Sequence, residues 1–173
     1  MTERHVELVV NERPTTVTVR TGNTLLHTLR EELGLKSVRG TCGIGICGTC
    51  TVLVNGQPVS SCNALTVMHT GASITTSEGL VRDGDLDAVQ RAFIKEGAYQ
   101  CSYCIPAMVL TVRSLLDQQA DIDSGSVREQ LAGNLCRCGT YPQIMAAVES
   151  LIADRGSPGE DPGRETDSTR SDL

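Results

Sequence analysis

The sequence predicts an α+β chain in two parts, a β-rich N-terminal half and a helical C-terminal half. Three observations carry this reading. Short β-branched runs bounded by turn residues fill residues 6–76, apolar residues recur at helical spacing beyond residue 85, and eight cysteines fall into two sets of different spacing, one per half. One Phe, three Tyr and no Trp leave Val, Leu, Ile, Ala and Met to build the cores. Two small cores of that kind each need a staple, and a metal cluster is one. A net charge of −6 with no basic stripe excludes nucleic acid and anionic membranes as partners. The start MTERHVELVV has no apolar signal region, and no run reaches membrane-spanning length. The expectation is a cytoplasmic protein without membrane insertion, in which eight Cys argue for metal rather than disulfides.

Val6 to Val10 reads as a strand, Asn11-Glu12-Arg13-Pro14 as a turn, and Thr15 to Arg20 as the return strand with Val17 and Val19 on one face. Thr24 is a candidate N-cap for a helix carrying Leu25, Leu26, Leu29 and Leu33, with Gly34 as its stop. The loop that follows holds Cys42, Cys47 and Cys50 in a C-x4-C-x2-C array, closed by Cys62 eleven residues later. Four thiolates at this spacing form the plant-type [2Fe–2S] pattern. Zinc sites usually show two short C-x2-4-C knuckles instead. Gly40, Gly43, Gly45 and Gly48 suit a loop that wraps sulfur through positive φ and close amide approach. Thr51 to Val54 and the stretch through Val59 flank Asn55-Gly56, a strong hairpin turn, and Ser73 to Thr76 offers one more strand. With the cysteine loop between the hairpins, these elements add up to the β-grasp of plant-type ferredoxins.

Residues 79–84 read as a linker between a domain at 1–78 and a helical domain at 85–153. Leu86, Val89 and Phe93 share a helical face ending near Gly97. Cys101 and Cys104 precede a helix with Pro106 in its first turn and Met108, Val112, Leu115 and Leu116 on its face. Ser126 to Glu129 reads as a capping box, with the helix closing near Gly133-Asn134. Cys136 and Cys138 then precede a fourth helix opened by Pro142, with Ile144, Val148, Leu151 and Ile152. Each pair lies before a helix start, where free N–H groups and the dipole favour an anionic cluster, so pairing the units brings four thiolates to the centre of a four-helix bundle. This set fits iron–sulfur or zinc, though C-x-C is tight for two ligands of one tetrahedral ion. Residues 154–173 are rich in Gly, Pro, Ser and acid, and predict a disordered acidic tail.

Taken together, GTCGIGICGTCTVLVNG…SC, QCSYCIPAM and GNLCRCGTYPQI resemble the iron–sulfur subunit of the molybdenum hydroxylases, the xanthine oxidase, aldehyde oxidase and carbon monoxide dehydrogenase family, over residues 4–153. The resemblance implies a small electron-transfer subunit of an oxidoreductase complex, not itself acting on substrate. One [2Fe–2S] cluster would sit on Cys42, Cys47, Cys50 and Cys62, and a second on Cys101, Cys104, Cys136 and Cys138. Gln100 and Cys138 would contact molybdopterin, in its cytosine dinucleotide form, on a large molybdenum-binding subunit. The first cluster would face FAD on a medium subunit, and the hetero-oligomer would be a dimer of heterotrimers. Ser102, Ile105 and Ala107 depart from the common C-G-[FY]-C-[TS]-P-G, and Ile44 stands where Glu is frequent.

Two other readings compete with this subunit: a free-standing two-cluster ferredoxin and a zinc-stapled interaction module. Arg137, between two ligands, raises the potential of the helical cluster if its guanidinium faces inward, and matters little if it faces solvent.

Overall fold

A computed structural model describes residues 2–119 and 122–156. Strands β1 (Glu3–Val10), β2 (Arg13–Arg20), β3 (Thr51–Val54), β4 (Gln57–Ser60) and β5 (Ser73–Thr75) form one sheet in the order β2-β1-β5-β3-β4. β1 runs parallel to β5, and every other neighbouring pair is antiparallel. Both hairpins turn on two residues at positive φ, Asn11 and Glu12 in the first, Asn55 and Gly56 in the second. That geometry matches the twist of the flanking strands. The first turn is therefore tighter than the four residues expected, and Pro14 sits inside β2, which is an edge strand and needs no amide there.

The first helix begins as expected, with the Thr24 hydroxyl accepting the His27 N–H at 3.2 Å. α1 (Leu25–His27) then widens into a π-type turn over Thr28–Glu32 and ends at Gly34, φ 71°. Leu25 and Leu29, fully buried, pack with Val6, Leu8, Val19, Val52 and Ile74 in the core of this half.

Four helices make the other half: α2 (Ala88–Lys95), α3 (Ile105–Gln118), α4 (Ser124–Leu131) and α5 (Tyr141–Gly156). α2 packs on α3 and α5, and α4 packs on the same two, which closes a four-helix bundle. Val89, Phe93, Met108, Val112, Val127, Ile144 and Val148 fill it. Leu86 precedes α2 instead of lying on it; the helix is capped by Asp87, which accepts the Val89 N–H at 2.8 Å while Gln90 accepts the Asp87 N–H. α4 is capped by Asp123, not Ser126. The Asp123 carboxylate accepts the Ser126 N–H and hydroxyl, and an anion at a helix start outcompetes a hydroxyl.

All four residues of β3 are buried, because the sheet core covers one side and α3 lies against the strand from the helical half. Between the halves, Gly79 lies against the Asn11 side chain and Arg82 pairs with Glu12. α5 continues to Gly156, past the point where the tail was expected, and the remainder of that segment lies outside the described residues.

Candidate metal centres

Residues 38–50 form an irregular loop whose path depends on glycine. Gly43, Gly45 and Gly48 have φ between 68° and 78°. Gly40 does not; a Cβ there would stand 3.0 Å from the Leu26 side chain, so it is small for packing reasons. The loop brings Cys42 against Cys47, and the 3₁₀ turn Ser61–Asn63 brings Cys62 against Cys50. Cys47, Cys50 and Cys62 are buried and Cys42 half-buried. The N–H of Ile44 points at the Cys42 sulfur (3.5 Å), and the Thr49 hydroxyl lies 3.2 Å from that of Cys47. Hydrogen bonds from the amides of Ile44 and Cys47, then from the Cys47 thiol and the Ile46 amide, pull the Cys42 thiol down to about 6. Burial, and after it the Cys50 thiol, pushes Cys62 up to about 11, against the Gly45 amide.

In the helical half, Cys101 meets Cys138 and Cys104 meets Cys136. Ser102, at φ 60°, makes the turn between the first two, and α3 and α5 start directly beyond the two pairs. The set therefore occupies the N-terminal end of the bundle rather than its centre, with Cys101 exposed, Cys136 and Cys138 half-buried and Cys104 buried. The Tyr103 amide and then the Cys138 thiol lower the Cys101 pKa. Burial pushes Cys104 up to about 12. Burial also opposes ionisation of Cys136, yet the Thr140 hydroxyl and amide, with the Cys104 thiol and Cys138 amide, bring it down to about 7.

Both sets thus offer sulfur flanked by amide donors, the environment an anionic cluster needs. Among the described residues, no three His, Cys, Asp or Glu side chains gather as a site for a single metal ion. The strongest thiol contacts are the four pairs above, and weaker ones link Cys62 to Cys42 and Cys101 to Cys104 and Cys136. A tetrahedral zinc needs four donors around one point, whereas a two-iron cluster takes two ligands on each iron. The donor sets fit [2Fe–2S].

Gln100 is exposed beside Cys101, and among the described residues its side chain makes no hydrogen bond. Arg137 is exposed too. Sequence reasoning missed the contacts that hold the two loops together. Arg39 donates to the Ser102 carbonyl (2.7 Å) and lies 5.1 Å from the Tyr103 ring centre, while the Tyr103 hydroxyl donates to the Gly40 carbonyl at 2.8 Å. No periodicity or motif announces such a contact across 63 residues.

An electron carrier with two separate sulfur-ligated centres is the class of protein this arrangement defines. Residues 8–73 match the family described as 2Fe-2S iron-sulfur cluster binding domain, and residues 76–149 the [2Fe-2S] binding domain. The chain is 39% identical over 147 residues to the nicotinate dehydrogenase small FeS subunit of Eubacterium barkeri, covering 85% of this chain and 94% of that one. It is 41% identical over 162 residues to the aldehyde oxidoreductase iron-sulfur-binding subunit PaoA of Escherichia coli, covering 85% and 71%. Quinoline 2-oxidoreductase from Pseudomonas putida 86 superposes with a TM-score of 0.82 at 36% identity, over 89% of this chain and 98% of that one. The aldehyde oxidoreductase of Desulfovibrio desulfuricans superposes equally well (0.82, 33% identity), but 87% of this chain matches only 17% of that longer one. The chain belongs to the iron–sulfur subunits of the molybdenum hydroxylases. It is the electron-transfer subunit of an oxidoreductase complex with two [2Fe–2S] clusters, and works beside a larger subunit. Among the described residues, no helix is long and apolar enough to cross a membrane.

Proposed function

We propose that Cys42, Cys47, Cys50 and Cys62 hold the first cluster and Cys101, Cys104, Cys136 and Cys138 the second. The observation that carries this is the meeting of the eight cysteines in four pairs, two per half, each half with amide donors on sulfur. Cys42 and Cys47 would hold one iron and Cys50 and Cys62 the other; Cys101 with Cys138 and Cys104 with Cys136 would divide the second cluster likewise.

The bound clusters supply one-electron storage and transfer. The chain's residues set how readily that happens. Amides on Cys42, Cys62, Cys101 and Cys136 stabilise the added negative charge, and burial of Cys47, Cys50, Cys62 and Cys104 excludes water. Gln100 and Cys138, beside the exposed Cys101, face the large subunit and contact its molybdopterin, carried as the cytosine dinucleotide. The half-buried Cys42, followed in the loop by exposed Ile44 and Ile46, faces a medium subunit with FAD. Electrons enter at the helical half and leave at the sheet half, in a cytoplasmic complex arranged as a dimer of heterotrimers.

Cys50→Ser and Cys104→Ser variants of the complex, read by electron paramagnetic resonance after reduction, test the ligand sets. Each is expected to lose one of two cluster signals and keep the other. Both signals surviving in either variant would defeat the assignment.

A further inference from the structure

The two thiol sets are joined by one peptide hydrogen bond. The Leu135 N–H donates to the Cys47 carbonyl at 2.9 Å, and Leu135 is bonded to Cys136. A ligand of one half is thereby connected to a ligand of the other through a single non-covalent step. Next to it stands Asn134, 4% exposed. Its amide nitrogen donates to the Gly48 carbonyl at 2.9 Å, and its carbonyl oxygen accepts the Thr111 hydroxyl of α3 at 3.1 Å. Asn suits this place because one head group donates to the sheet half while accepting from the helical half. Asp would set a carboxylate against a carbonyl, and an aliphatic residue would release the loop. The loops approach closely here, since a Cβ on Gly48 would lie 2.2 Å from the Gly133 oxygen.

We propose that Asn134 is a positioning residue for electron transfer between the two centres. It holds the Gly48 carbonyl, one residue beyond the Cys47 carbonyl that meets the Leu135 amide, and so sets the separation and electronic coupling of the clusters. One electron leaves the reduced centre of the helical half and reduces the oxidised centre of the sheet half; no proton moves. Thr111 acts through Asn134 by orienting its amide. The proposal rests on the ligand sets assigned above.

The test uses the complex recovered through a tag on this chain, with wild type, Asn134→Ala and Thr111→Val compared. Iron and sulfide are measured first, then the potential of each cluster, the magnetic splitting between the two reduced clusters, and the rate of transfer between them after rapid reduction. Asn134→Ala is expected to keep each cluster's own signal and potential, lose the mutual splitting and transfer electrons severalfold more slowly. Thr111→Val shifts both readouts the same way by less. Wild-type splitting and rate in loaded variants would overturn the proposal, and if Asn134→Ala fails to load, Thr111→Val alone decides by the same criteria. A wild-type complex with fewer than two cluster signals would instead defeat the ligand assignment, so the two failures are distinct.

Discussion

Gly48 offers the sharpest test of how the two halves fit together. Its φ of 68° costs an L-residue about 1–2 kcal/mol. An added Cβ would also lie 2.2 Å from the Gly133 oxygen and 2.7 Å from the Asn134 side-chain nitrogen, both far inside contact distance. The loops must then part, and the bond from Asn134 to the Gly48 carbonyl breaks. The carbonyl keeps the Thr51 hydroxyl at 2.7 Å, but the Asn134 amide is left buried without that partner, at a cost of about 1–3 kcal/mol. Gly48→Ala should therefore destabilise by roughly 2–5 kcal/mol, a large share of a typical domain's stability. Gly34 provides the control, with φ 71° and no atom within 4 Å of a built Cβ, so Gly34→Ala meets the conformational cost alone. The assay is the temperature at which the visible absorbance of the loaded chain is lost. At about 2–4 °C per kcal/mol, Gly48→Ala should fall roughly 4–20 °C, well below Gly34→Ala. Equal losses in the two variants would refute the close approach of the loops.

Three further outcomes are expected. Ser102 holds φ 60°, a conformation that glycine adopts without strain, so Ser102→Gly should stabilise by about 1 kcal/mol in thermal melts; a loss would show that the serine makes a compensating contact. Glu78 has a net lowered pKa: burial opposes its ionisation, but the Ser37 hydroxyl and amide and the Thr76 hydroxyl hold the carboxylate. A depressed carboxylate contributes stability that is complete above its ordinary value of 4.5 and is lost as the pH falls through the lower folded value, so Glu78→Gln should flatten the decline of melting temperature below pH 4.5; an unchanged decline would contradict this. Arg137 is exposed and its charge is screened, so Arg137→Gln should leave the helical cluster's potential unchanged in a redox titration, and a drop would place the guanidinium inward.

The sequence was most legible where local chemistry decides the outcome. Asn55-Gly56 demands its turn, Thr24 caps its helix, and the spacing of Cys42, Cys47 and Cys50 admits few metal centres besides the two-iron cluster. Periodicity also identified the buried faces of α3 and α5. It was less informative where two local signals compete. Ser126-Val-Arg-Glu129 has the form of a capping box, but Asp123 three residues earlier is charged and takes the amide. The π-type turn after His27 and the continuation of α5 to Gly156 depend on packing that a short window does not contain. Contacts across the halves were the least legible. Asn134 reads as a helix stop and Tyr103 only as a residue between two cysteines, and only the folded chain shows that each reaches a loop glycine of the other domain.

The most direct measurement is the composition of the complex purified through a tag on this chain: iron, acid-labile sulfide, zinc, molybdenum and flavin per chain. Iron and sulfide at about four each, with molybdenum on a larger partner, is the expected result, because each of two domains holds a two-iron cluster. The same iron without molybdenum or a partner would leave a free two-cluster ferredoxin, and zinc without sulfide would contradict the iron–sulfur assignment at both sets of cysteines.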